Sequence, residues 1–190
     1  MSEVAEQIMD AAEHRIRQGG FNGFSFREVA TDVGIKSSSV HYHFPTKENL
    51  AAAVVRRYAD YVVRTVDEGM EAEANPAKVW TKAFRSTLNS PDRMCPCIVL
   101  GASAGDLPAE VGIEVQRFFK MCLDKLTKQG MPSKEAAELL ATITGAMVIA
   151  NAIGDKAAYD RATGERLKTL VPAKPARPAK PAVRTRQSRK

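Results

Sequence analysis

The sequence predicts an all-α protein, and three observations carry that expectation. Apolar residues recur at helical spacing from residue 3 to residue 171. No segment alternates with the period of two that a half-buried strand needs, and no Asn-Gly or Asp-Gly pair is flanked by such segments to make a hairpin. Breakers and caps divide the chain at helix-like intervals: Gly19-Gly20, Ser25 with Glu28, Gly34, Pro45-Thr46 and Gly130.

The elements follow in order. Val4, Ile8, Ala12 and Ile16 stand four residues apart, which puts them on one face of a first helix that stops at Gly19-Gly20. Phe21, Phe24 and Phe26 then plug a small core. Ser25 and Glu28 form a capping-box pattern for a second helix, which buries Val29, Ala30 and Val33 and ends at Gly34. Ile35 and Val40 are the inward residues of a third helix. Thr46 caps a long fourth helix carrying Leu50, Val54, Tyr58, Tyr61, Val62 and Thr65, and 69–76 reads as a loop. A fifth helix, 78–88, carries Val79, Trp80, Phe84 and Leu88. Another begins near Leu107-Pro108 and buries Val111, Val115, Phe118, Phe119, Cys122 and Leu126 before Gly130. Ser133 is the expected cap of a helix rich in small residues, with Ala136, Ala137, Leu140, Ile143, Thr144, Met147, Ala150 and Asn151, ending near Gly154. The last helix is expected over 156–170.

At 190 residues and 44% hydrophobic, the chain can bury an ordinary globular core. The first twenty residues carry Glu3, Glu6, Asp10 and Glu13 and no signal-like apolar run, and no apolar run approaches membrane length. A cytoplasmic, nucleoid-associated location is therefore expected. Cys95, Cys97 and Cys122 are odd in number, which favours reduced thiols over a disulfide framework. The net charge of +6 suggests nucleic acid until it is located. Seven of the 28 basic residues, and none of the 22 acidic ones, lie in 172–190, so the remainder of the chain is close to neutral.

Residue pattern, not bulk charge, singles out 34–48. Most surface helices hide an apolar stripe and solvate the rest with Lys and Glu. This segment presents Ser37, Ser38, Ser39, His41, Tyr42 and His43 instead, side chains suited to hydrogen bonding base edges and phosphates. DNA is the first partner to consider. A plainer reading makes Ser25, Ser37 and Thr46 helix caps, and His41 and His43 structural histidines or a pH sensor. Two histidines two apart on a helix face different ways, so a shared metal is not expected.

The combination of Phe26-Arg27-Glu28-Val29-Ala30, Val33-Gly34-Ile35 and Val40-His41-Tyr42-His43-Phe44-Pro45-Thr46-Lys47-Glu48-Asn49-Leu50 resembles the TetR family of bacterial one-component regulators. The resemblance covers residues 8 to 55; beyond it the likeness is one of helix number and length. It implies an N-terminal three-helix helix-turn-helix domain over 1–48 and a helical effector-binding and dimerisation domain over 49–171, while composition sets off a disordered basic Pro/Ala/Lys/Arg-rich tail over 172–190. About nine helices are expected in all.

By the same resemblance the third helix enters the major groove, with Arg27, Lys36, Ser37, Ser38, Ser39, His41, Tyr42, His43 and Lys47 at or beside DNA. Arg27 is the candidate for a bidentate guanine contact and Lys47 for backbone phosphate. An effector is expected between the fourth and eighth helices, lined by Trp80, Phe84, Phe118 and Met147, with Cys95, Cys97, Cys122 and Asn151 beside them. The final two helices are expected to pair with their copies in a homodimer, where Gly145, Ala146, Ala150 and Ala152 permit close approach.

Met94 to Gly101 is the unusual segment: its Ile-Val-Leu run resembles a strand, whereas the family has a short sixth helix there. Cys-Pro-Cys lacks zinc-site spacing. The cysteines either pack as small hydrophobes or sense an oxidant or electrophile, with Arg93 the one close cation and Asp92 opposing it. No cofactor is expected, and no phosphate loop, His-Glu-x-x-His or nucleophile motif supports an enzyme. The tail's proline repeat, Pro-Ala-Lys-Pro-Ala-Arg-Pro-Ala-Lys, supports an alternative, a general DNA-coating protein, because its cations attract phosphate irrespective of sequence. Strong preference for one palindrome over random DNA separates a regulator from a coating protein.

Overall fold

The computed structural model describes residues 2–89 and 94–169, the last five as backbone only; Asp92, Arg93 and the basic run 172–190 lie outside the described residues. Among the described residues the fold is all helical, with nine α-helices and two 3-10 turns. They are α1 Glu3–Gly19, α2 Phe26–Val33, α3 Ser37–His43, α4 Lys47–Ala72, α5 Pro76–Thr87, α6 Pro96–Ala102, α7 Ala109–Lys128, α8 Ser133–Ala152 and α9 Lys156–Thr169.

Most boundaries follow their caps. Ser25 accepts from the Glu28 amide at 3.3 Å and donates to the Glu28 carboxylate at 2.8 Å, so the two side chains meet each other where a full capping box would return to the backbone. Gly34 ends α2 at φ 76, a left-handed conformation glycine adopts freely, and its N–H reaches back to Ala30 and Thr31. Thr46 accepts from the Asn49 amide at 3.1 Å. Asn22-Gly23, a hairpin dipeptide between strands, lies here in the 3-10 turn Phe21–Gly23.

Three expectations are corrected. The 69–76 loop is shorter than expected: α4 runs to Ala72, and Asn75 caps α5 with its side chain on the amides of Ala77 and Lys78. Gly69 is retained inside the helix because α5 crosses it there, and a Cβ at Gly69 would stand 2.6 Å from Val79 Cγ1. Ser133 is the first residue of α8 with Pro132 at the cap, and Ser37 likewise follows the cap position, Lys36; neither makes a side-chain cap bond. Tyr61 lies on the outer face of α4, exposed.

The core is continuous from Ala5 on α1 to Tyr159 on α9. Polar ties join its elements. Arg57 on α4 meets Glu6, Asp10 and Glu13, the acidic row of α1. Trp80 Nε1 donates to Gln129 Oε1 at 2.8 Å, and Tyr159 donates to the Thr81 carbonyl at 2.9 Å. Arg85 holds Asp160 through two bonds, tying α5 to α9. Buried Glu114 on α7 receives Arg56 of α4 and Arg117 of its own helix.

Candidate nucleic-acid interface

Helix α3 is one short element held by one deep anchor. Val40 is fully buried and Phe44, just past the helix, packs beside it, while Ile35 is half-buried at the entry. The rest of the helix is left to solvent or to its edges. Lys36, Ser38, His41 and Tyr42 are exposed; Ser37, Ser39 and His43 are half-buried. Tyr42 is 84% exposed, a value no packing role explains for a large aromatic ring. Its only ring contact among those described is an edge-on one with His43, centroids 5.1 Å apart. His41 is fixed more firmly, with its ring edge-on to buried Phe26 at 4.6 Å, so it joins α3 to α2 while staying exposed.

Arg27 is exposed on α2, and Thr31 donates to its backbone carbonyl at 2.9 Å. Lys47 departs from a purely solvent-facing phosphate contact. Its Nζ sits 4.5 Å from the centroid of Phe21 and 4.7 Å from that of Phe24, and burial lowers its pKa from the ordinary lysine value. The cation is thus pre-placed at the first turn of α4 by two aromatic faces from the α1–α2 connection. The nine expected residues fall on α2, on α3 and its cap residue Lys36, and at the start of α4, with exposed Tyr42 in the last turn of α3.

A match of residues 8–54 to the model of bacterial regulatory proteins of the tetR family spans this arrangement. Residues 8–54 are thus a tetR-family DNA-binding region. It is similar to the HTH-type transcriptional regulator LmrA of Bacillus subtilis, 27% identical over 155 residues, covering 75% of this chain and 81% of that one. The HTH-type transcriptional repressor KstR2 of Mycolicibacterium smegmatis is 21% identical over 85 residues, covering 45% of this chain and 42% of the relative. A TetR-family transcriptional regulator from Agrobacterium tumefaciens superposes with a TM-score of 0.81 at 27% identity, covering 88% of this chain and 97% of that one. A chain carrying this region is accordingly a DNA-binding regulator built on a helix-turn-helix.

The expected effector residues converge only in part. Trp80, Phe84, Phe118, Met147 and the three cysteines are buried in the one core, with the Trp80 and Phe84 rings stacked 6.2 Å apart. Asn151 does not join them: it is exposed, on the outer side of α8. Thr81 was missed by sequence reasoning. Its Oγ1 is buried beside Trp80 without a hydrogen-bond partner, an uncompensated polar atom that a ligand group would satisfy. A threonine one residue from an apolar stripe carries no sequence signal for this.

Burial dominates the cysteines. It pushes the Cys97 and Cys122 thiols up. For Cys95 burial acts the same way but is outweighed by bonds from the Cys97 thiol, the Tyr58 hydroxyl and the N–H groups of Ile98 and Cys97, leaving its pKa lowered. No group of three metal-binding side chains occurs among the described residues. No helix among them is long and apolar enough to cross a membrane.

The outer face of α8 is apolar as well as the inner. Gly145, Val148, Ile149, Ala152 and Ile153 are exposed, whereas Ala146 and Ala150, expected to permit close approach between copies, point into the chain's own core. Of the expected set, Gly145 and Ala152 lie on the outer face, beside Ala141 and Val148.

Proposed function

We propose that this regulator is a ligand-responsive repressor that binds a near-palindromic operator as a homodimer and leaves it when a small, partly apolar effector binds. One observation carries the reading: Tyr42, in the last turn of a seven-residue helix, is 84% exposed while Val40 and Phe44 on either side of it are buried. That combination gives a rigid mount with a free aromatic hydroxyl at its tip. Lys36, Ser38 and His41 flank it, Arg27 stands on the preceding helix, and Lys47 supplies a fixed cation for phosphate. KstR2 is named as a repressor, which supports repression as the direction of control.

The exposed apolar face of α8 supports the dimer, since a helix apolar all round needs a partner on each side. Two copies of α3 would then enter successive major grooves roughly 34 to 36 Å apart. The interior beside Trp80, Phe84, Phe118 and Met147, with the unpaired Thr81 hydroxyl, suits an effector of mainly apolar surface with one hydrogen-bonding group. The effector acts by differential affinity for a state in which α4 has shifted and the two α3 helices are spread. Such a protein would work in the cytoplasm, on the nucleoid.

A gel-shift titration on the DNA flanking the protein's own gene, with wild type and Tyr42→Ala, tests this. The substitution removes specific binding without changing the thermal midpoint; equal affinity of the two proteins would contradict it.

A further inference from the structure

A cavity of about 330 Å³ lies at the junction of α1, α4 and α5, separated by Tyr58, whose ring is 6.0 Å from that of Phe118, from the interior position expected for the effector. Glu13, Arg17, Arg57, Tyr58, Tyr61 and Arg64 line it, with the hydroxyls of Ser86 and Thr87 at one side. Its floor is built rather than incidental. Tyr58 is buried, the Arg17 guanidinium lies 5.3 Å over its ring, and Arg17 is itself held by Glu13 and by the Met94 carbonyl. Its rim is open: Tyr61 is exposed, its ring 5.9 Å from that of Tyr58, and Arg64 beside it is exposed.

The charges around the cavity are not balanced at the rim. Arg17 and Arg57 are matched by Glu13, Glu6 and Asp10. Arg64 has no acidic partner among the described residues. The lining is otherwise mostly aromatic and hydroxylic, and the volume is at the lower end of what small-ligand sites use. We propose that this cavity binds a small aromatic carboxylate. The ring lies along Tyr58 and Tyr61, and the carboxylate bonds to Arg64 and draws on the Arg57 guanidinium, which offers the planar fork that carboxylates accept.

The position gives binding a consequence. Arg57 is the residue that fastens α4 to the acidic row of α1. A ligand carboxylate competing with Glu13 for that guanidinium loosens the joint between the DNA-binding helices and α4. The proposal stands apart from the interior effector reading and does not depend on it.

Isothermal titration calorimetry of the full chain with benzoate and with benzamide, the uncharged counterpart, tests the site without DNA. One benzoate site per chain is expected, with benzamide weaker by at least about tenfold, or about 1.4 kcal/mol. Arg64→Gln should reduce benzoate to the benzamide level while leaving the thermal midpoint unchanged, and Tyr61→Ala should weaken both ligands. Hydrogen exchange at the α1 amides should quicken with benzoate. No benzoate binding up to about 10 mM, a level that even weak small-ligand sites pass, would overturn the proposal. So would equal binding of the two ligands, or wild-type affinity in Arg64→Gln. Unchanged exchange in α1 would overturn the coupling to Arg57.

Discussion

Asn49 Nδ2 lies 2.7 and 2.9 Å from the two carboxylate oxygens of Glu110, joining the first turn of α4 to the first turn of α7. The bond sits two residues beyond Lys47, so it helps set the angle at which α4 carries the helix-turn-helix. An exposed hydrogen bond of this kind contributes about 0.5 to 1.5 kcal/mol. In a double-mutant cycle with Asn49→Ala and Glu110→Ala, the coupling in stability should stay within that range. Both single variants should shift DNA affinity in the same direction, and the double variant by no more than either. Additive effects on DNA affinity would show that the pair does not act through this contact.

Gly69→Ala reads the crossing of α4 and α5. Alanine favours a helix interior over glycine by about 1 kcal/mol. Here the new methyl would meet Val79, a stiff and buried side chain, at 2.6 Å. Overpacking of this kind costs about 1 to 3 kcal/mol, so the variant should be less stable by denaturant titration, and Val79→Ala in the same background should recover part of the loss. A stabilised Gly69→Ala would show that the helices are not in contact there.

Burial of Cys95, Cys97 and Cys122 sets their reactivity. A chromogenic disulfide reagent added to the native protein should label none of the three rapidly, and all three once the chain is unfolded. Fast labelling of the native protein would restore the thiol-sensing alternative that the burial disfavours.

Two ion-paired carboxylates contribute to the acid limb of stability. Bonds from Arg15 hold Asp32, and bonds from Arg85 hold Asp160, below the ordinary aspartate value of about 3.9. A depressed folded-state pKa contributes stability that is present above the unfolded value and is lost as pH falls through the folded one. The difference in thermal midpoint between wild type and Asp32→Asn or Asp160→Asn should therefore be largest near neutrality and shrink below about pH 4. A difference independent of pH would remove the charge from the explanation.

Much of the DNA-binding end was legible because its signals are local. Ser25, Gly34 and Thr46 mark boundaries through bonds made within a few residues, and Val40 and Phe44 declare the buried side of α3. The α8 face was misassigned at Ala146 and Ala150 because small residues surround that helix and give no periodic contrast. The tie of Arg57 to Glu6, Asp10 and Glu13 was visible in outline, as three acids on one face of α1, but its partner lies more than forty residues away along the chain. The unpaired Thr81 hydroxyl and the Asn49–Glu110 contact depend on how distant helices meet, which spacing within one helix does not encode.

Selection of bound sequences from a random DNA pool tests the central claim most directly, run in parallel with wild type and Tyr42→Ala. The wild type should converge on one near-palindromic sequence whose half-sites are about one helical turn, or a multiple of it, apart, and Tyr42→Ala, folded to the same thermal midpoint, should fail to enrich it. Recovery of unrelated sequences by the wild type, or of the same palindrome with equal efficiency by the variant, would contradict the assignment of α3 as the element that reads DNA.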